Sequence, residues 1–95
     1  MKEQILSNYT ETAKTAMYQF YGSKPYMTAP TIDEEDHVIN IARSVMLHRD
    51  GIMLGGGFVT AVIENDLEKA ISVADSTCSQ HLPFFAYCKR GVFIS

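Results

Sequence analysis

The sequence predicts a small all-α domain, and three observations carry that prediction. Apolar residues recur at three- and four-residue steps along several segments. No segment alternates apolar and polar residues as a half-buried strand does. Glycine, proline and Asp-Gly signals punctuate the periodic segments. A chain of 95 residues, 46% hydrophobic and 20% charged, suits a single globular domain spanning 1–95 with three to four helices. A domain of this size buries only about 60–65% of its unfolded surface, so assembly into a homo-oligomer would help it.

The first helix is predicted from Lys2 to Phe20, where Ile5, Leu6, Tyr9, Ala13, Ala16, Met17 and Phe20 form one stripe. Gly22, in a left-handed conformation, and Pro25 would end it, with a loop from Tyr21 to Pro30. Thr31-Ile32-Asp33-Glu34 has capping-box spacing, and Asp33, Glu34, Glu35 and Asp36 place negative charge at the positive end of the next helix dipole. Val38, Ile41, Ala42, Val45 and Met46 give that helix its apolar face, and Asp50-Gly51 stops it after Arg49. A hydrophobic loop, Ile52 to Gly57, closes on three glycines. The third helix then carries Phe58, Val59, Val62, Ile63, Leu67, Ala70, Ile71 and Ala74 on one continuous face. After a polar break from Asp75 to Ser79, a last helix is expected from about Ser79 to Arg90, with Pro83 in its first turn. Gly91 would end it, leaving Val92-Phe93-Ile94-Ser95 as a short apolar tail suited to docking.

Composition excludes several classes of function. A formal net charge of -3 argues against DNA binding, which needs clustered cations, and the last helix has only Lys89 and Arg90 at its end. No stretch reaches the roughly 18 apolar residues of a membrane span, and no secretory leader is visible. Two cysteines make no disulfide framework. These features predict a reduced protein of the cytosol (cytoplasmic), with no membrane partner.

Among local patterns, Gly55-Gly56-Gly57-Phe58 leading into a helix is the strongest. Open backbone N–H groups and the helix dipole favour an anion there. No P-loop Lys follows, and a GxGxxG spacing is absent, which excludes nucleotide triphosphatases and dinucleotide-binding folds. A tight connection between packed helices accounts for the same glycines. In the binding reading, Gly55, Gly56, Gly57 and Phe58 hold the anion and Thr60 donates a hydroxyl. Arg49 or Lys24 balances charge, and Tyr26 stacks on a base. Tyr18, Tyr21, Lys24 and Tyr26 form an aromatic-basic cluster that suits a subunit contact equally well.

His48-Arg49-Asp50 is similar to a kinase catalytic triplet, but 95 residues cannot hold the other kinase elements, so the triplet reads as positive groups at a helix C-terminus. Cys78, His81 and Cys88 supply three potential ligands with neither a CxxC pair nor an HExxH helix, so no metal and no cofactor is predicted. Cys78 and His81 stand one turn apart and leave a small Cys/His hydrolase as an alternative.

Gly51-Ile52, Gly56-Gly57-Phe58-Val59, Ala61-Val62-Ile63, Asn65-Asp66-Leu67, Ala70 and Ala74-Asp75 together resemble a loop-helix pattern of small bacteriophage and prophage proteins. The resemblance covers Gly51 to Asp75 and implies viral origin. It points to an accessory, counter-defence factor acting on the host by stoichiometric binding, not by catalysis. The leading expectation is therefore a non-enzymatic homo-oligomer that sequesters a small anionic ligand of nucleotide type. A second expectation is an inhibitor that binds a host protein through the acidic face of Asp33, Glu34, Glu35 and Asp36.

Overall fold

A computed structural model describes residues 2–90 and is helical throughout its regular structure, with no strand among the described residues. The elements are α1 (Lys2–Gly22), α2 (Ile32–Arg49), α3 (Gly57–Ile63), α4 (Leu67–Val73), α5 (Ser76–Gln80) and α6 (Leu82–Arg90). Six helices thus replace the three to four expected. The predicted tail and the Gly91 stop lie outside the described residues.

The largest correction concerns the third helix. The apolar period runs on from Phe58 to Ala74, but the chain turns at Asn65, which takes φ 62°. Asn tolerates this left-handed conformation better than other side chains. Asp66 then caps α4, its Oδ1 accepting from the Lys69 N–H at 3.1 Å. The break turns Leu67 and Ile71 outward, so Ala70 alone of α4 is buried. The same device recurs at Asp75, whose Oδ1 accepts the Cys78 N–H at 2.7 Å and opens α5 inside the expected polar break. The last helix accordingly starts at Leu82, not Ser79, and Pro83 sits in its first turn, where its missing N–H costs nothing. At the other end of the chain, α1 runs through Gly22. Gly51 alone of the described glycines has a positive φ, so the predicted left-handed Gly22 is also corrected.

The second helix follows the expected signals. Glu34 Oε1 accepts the Thr31 N–H at 3.1 Å, one half of the capping box. At the far end Gly51, at φ 74°, donates to the His48 carbonyl at 3.0 Å and Ile52 donates to that of Leu47 at 2.9 Å. These are the paired bonds of a Schellman stop.

α2 lies at the centre and packs against α1, α3, α5 and α6. Its Val38, Ala42, Val45 and Met46 meet Ala13, Ala16, Met17 and Phe20 of α1, Val59 and Ala61 of α3, and Phe84, Phe85 and Cys88 of α6 in one buried cluster. The α1–α6 seam is aromatic: the Phe20 ring stands 5.5 Å from Phe84 and 5.1 Å from Tyr87, centroid to centroid. Phe84 and Phe85, both fully buried, anchor α6 in this core.

Fully buried among these rings lies one polar side chain, His81. Its Nδ1 pairs with the Tyr21 hydroxyl, while Nε2 has no partner among the described residues. Burial pushes the Tyr21 phenol up, so the phenol keeps its proton and pairs with the imidazole as a neutral hydroxyl. Burial also lowers the His81 pKa below its ordinary value, with the Glu34 carboxylate partly opposing.

Stability should therefore fall as pH drops from 7 toward 5. The unfolded chain takes up the imidazole proton near 6.5, and the folded chain only at lower pH, so the unfolded state binds more protons across this window. One such group gives a slope of at most about 1.4 kcal/mol per pH unit. The carboxyls of Glu34, Asp50 and Asp75, all lowered by folding, act below it. His81→Gln keeps an acceptor for Tyr21 without a titrating ring and should flatten the curve of urea midpoint against pH in this window. An unchanged curve would show that His81 is not its source.

Candidate functional site

The three glycines differ in what surrounds them. A β-carbon on Gly55 would stand 2.3 Å from Val59 Cγ1 and 2.5 Å from Val59 Cβ, so close packing of the loop on α3 requires glycine there. The Gly55 N–H is already committed, donating to His48 Nδ1 at 3.0 Å. Gly56, at φ -75°, is the N-cap of α3, and Gly57 is its first residue. Neither would meet any atom within 4 Å if it carried a β-carbon. Phe58 stands edge-on to Phe85 at 5.6 Å and is half-buried, and the Thr60 hydroxyl faces the Gly55 carbonyl at 3.5 Å.

Arg49 is held by its own structural bonds. Its Nε and one terminal nitrogen donate to the two Asp50 carboxylate oxygens at 2.9 and 3.1 Å, and the other donates to the Cys88 carbonyl at 2.9 Å. The Tyr9 hydroxyl donates to the same Asp50 carboxylate at 2.5 Å. The Asp50 pKa is lowered first by the Arg49 hydrogen bond. This clamp joins α1, the end of α2 and the end of α6.

Lys24 and Tyr26 lie elsewhere. They line a cleft of about 450 Å³ between the α1–α2 loop, the end of α3 and α6, within the size range of small-molecule sites. Lys89 and Arg90 line it too, so three of the eight Lys and Arg in the chain converge there, and no carboxylate lines it among the described residues. Lys24 Nζ stands 4.9 Å from the centroid of Phe20, an aromatic floor for the charge. Lys89 Nζ donates to Asn65 Oδ1, so the residue that breaks the third helix also positions a cation. The Tyr26 ring is 80% exposed at the rim. The structure therefore brings together two of the predicted binding residues, Lys24 and Tyr26. Gly55, Gly56, Gly57, Phe58, Thr60 and Arg49 are absent from the cleft lining.

Local patterning already marked Lys24 and Tyr26, because they adjoin in sequence. It missed Asn65, Lys89 and Arg90. Lys89 and Arg90 stand out locally only as the cations at the end of the last helix, where they complement its dipole. Tyr18 and Tyr21 line a separate groove with Glu35.

The cysteines and histidines pair differently from their sequence spacing. His81 is bound to Tyr21, and the Cys78 Sγ faces His37 Nε2 at 3.8 Å. Burial pushes both the Cys78 and the Cys88 thiol up to about 12. Neither environment generates the thiolate that a cysteine nucleophile needs. In the acidic run, Glu34 is engaged in the α2 cap and accepts from the Thr77 hydroxyl at 3.5 Å, while Asp33 and Asp36 are exposed. No described helix is long and apolar enough to cross a membrane.

The glycines make an internal comparison. Gly55→Ala should cost roughly 1–3 kcal/mol through overpacking on Val59. Gly57→Ala, in the first turn of α3 with open space around it, should be neutral or stabilise by up to about 1 kcal/mol through the unfolded chain. Urea melts of both variants check this; equal effects would remove the packing argument for Gly55. Comparison with known proteins leaves the site to be read on its own geometry: no family model, no curated protein and no solved structure matches the chain.

Proposed function

We propose that the protein is a stoichiometric binder of a small anionic ligand of nucleotide type, held in the cleft between the α1–α2 loop and α6. One observation carries the reading: Lys24, Lys89 and Arg90 converge on a single concave surface, with no lining carboxylate among the described residues, in a chain whose net charge is -3. Like charges brought together at a cost in mutual repulsion gain most from an anion of two or three negative charges. Tyr26 at the rim offers a face for base stacking, and Phe20 with Met27 supplies the apolar part of the wall. Among the described residues no activated nucleophile accompanies these groups, which favours sequestration over turnover.

The resemblance within Gly51–Asp75 sets this binding in a bacteriophage accessory role, where a host nucleotide signal would be the ligand withheld. Self-association suits the same reading. Leu54 is 90% exposed, and Ile52 and Met53 beside it line an apolar groove with Ile5 and Leu6, a surface a second copy would cover.

Calorimetric titration with a panel of cyclic and linear nucleotides tests the proposal. At least one should bind with one site per chain, and affinity should fall as ionic strength rises. Lys24→Glu and Arg90→Glu should each weaken it at least about tenfold, since a charge-assisted contact is worth about 1.5–3 kcal/mol. Helical circular dichroism should be retained. Affinity untouched by both reversals would place the ligand elsewhere, and absence of binding across the panel would overturn the reading.

A further inference from the structure

A second cluster lies where α2 meets α5 and shares no residue with the cleft lining. His37 Nε2, Asp75 Oδ2 and Cys78 Sγ all lie within 4.8 Å of one another. His37 Nε2 is 3.0 Å from Asp75 Oδ2 and 3.8 Å from Cys78 Sγ. Which ring nitrogen does this is informative. In a nucleophile–base–orienter relay the two partners sit on opposite nitrogens of the imidazole. Here one nitrogen faces both the carboxylate and the sulfur, as a ligand atom facing a shared centre does.

We propose that His37, Asp75 and Cys78 form a zinc-binding site with three protein ligands and one open position. Nitrogen, oxygen and thiolate sulfur are the donors that zinc accepts, and a tetrahedral ion with Zn–N near 2.0 Å and Zn–S near 2.3 Å spaces its donors roughly 3.3–3.6 Å apart. The two separations from His37, 3.0 and 3.8 Å, bracket that range and the third is within 4.8 Å, so side-chain shifts of about an ångström complete the geometry. Asp75 is prepared for the role: its Oδ1 is occupied by the Cys78 N–H at 2.7 Å, which fixes the carboxylate and turns Oδ2 to the cluster. Asp75 and Cys78 are three residues apart at the start of α5, and His37 projects from α2, so the ion would staple two elements far apart in sequence. Cys78 is buried, while the His37 and Asp75 side chains are 44% and 58% exposed. The fourth position therefore faces solvent and takes water, and the thiol proton leaves to the buffer as the thiolate binds.

Cobalt(II) titration of the full chain under reducing conditions tests the site, because cobalt replaces zinc and reports its ligands by colour. A thiolate-to-cobalt charge-transfer band should appear at one metal per chain and be lost on adding zinc. Cys78→Ala should abolish the band, and Cys88→Ala should leave it. His37→Gln and Asp75→Asn should weaken zinc by more than the roughly 10–100-fold that loss of an outer partner costs. Asp75→Asn retains an oxygen for the α5 cap, so circular dichroism of that variant separates loss of metal from loss of fold. No band in the wild-type chain, or a band that survives in Cys78→Ala, would reduce the cluster to a surface His–Asp pair beside a buried thiol.

Discussion

The docking of α6 on α1 is the constraint on which the cation cleft depends. It is made by rings: Phe20 and Tyr21 from α1 against His81, Phe84 and Tyr87 from the last part of the chain. A histidine enters this seam only because it is neutral and has the Tyr21 hydroxyl to bond. The cation cleft follows from the seam. Lys24 follows Phe20 and Tyr21 in the loop just after α1, and Lys89 and Arg90 follow Phe84 and Tyr87 at the end of α6, so each segment carries its charges just past the apolar contact. Three cations crowd one rim because aromatic packing brings two chain segments together there.

The Arg49 clamp, which joins the same two helices to α2, works with other chemistry. Arg49 spans the Asp50 carboxylate and the Cys88 carbonyl, and Tyr9 reaches the same carboxylate. Arginine suits this place because its planar fork bonds a carboxylate with two nitrogens and still has one to reach a third helix. A side chain that reads as a free counter-charge in the sequence is thus a fastener, and the cations that line the cleft are Lys24, Lys89 and Arg90.

Much of the fold was legible because it is written in local signals. The stripe Ala13, Ala16, Met17 and Phe20, the acidic first turn of α2 and the Asp50-Gly51 stop each need only neighbouring residues to be read. Asn65-Asp66 was harder. The apolar period passes straight through it, and only the pairing of a left-handed Asn with a capping Asp says otherwise. The site was half legible. Lys24 and Tyr26 adjoin in the chain, whereas Lys89 joins them only through tertiary packing across the aromatic seam. His37 and Cys78, 41 residues apart, are brought together in the same way. Local spacing paired Cys78 with His81 instead, because nothing in a one-turn separation shows that His81 faces Tyr21.

The cleft and the glycine loop make distinct claims on a ligand, and one measurement separates them. Amide chemical shifts followed by NMR during titration with the best-binding nucleotide report the site residue by residue. The account predicts saturable shifts clustered at Lys24, Tyr26, Asn65, Lys89 and Arg90, with Gly55, Gly56, Gly57 and Thr60 unmoved. Shifts concentrated in the glycine loop, or spread without a cluster, would contradict it.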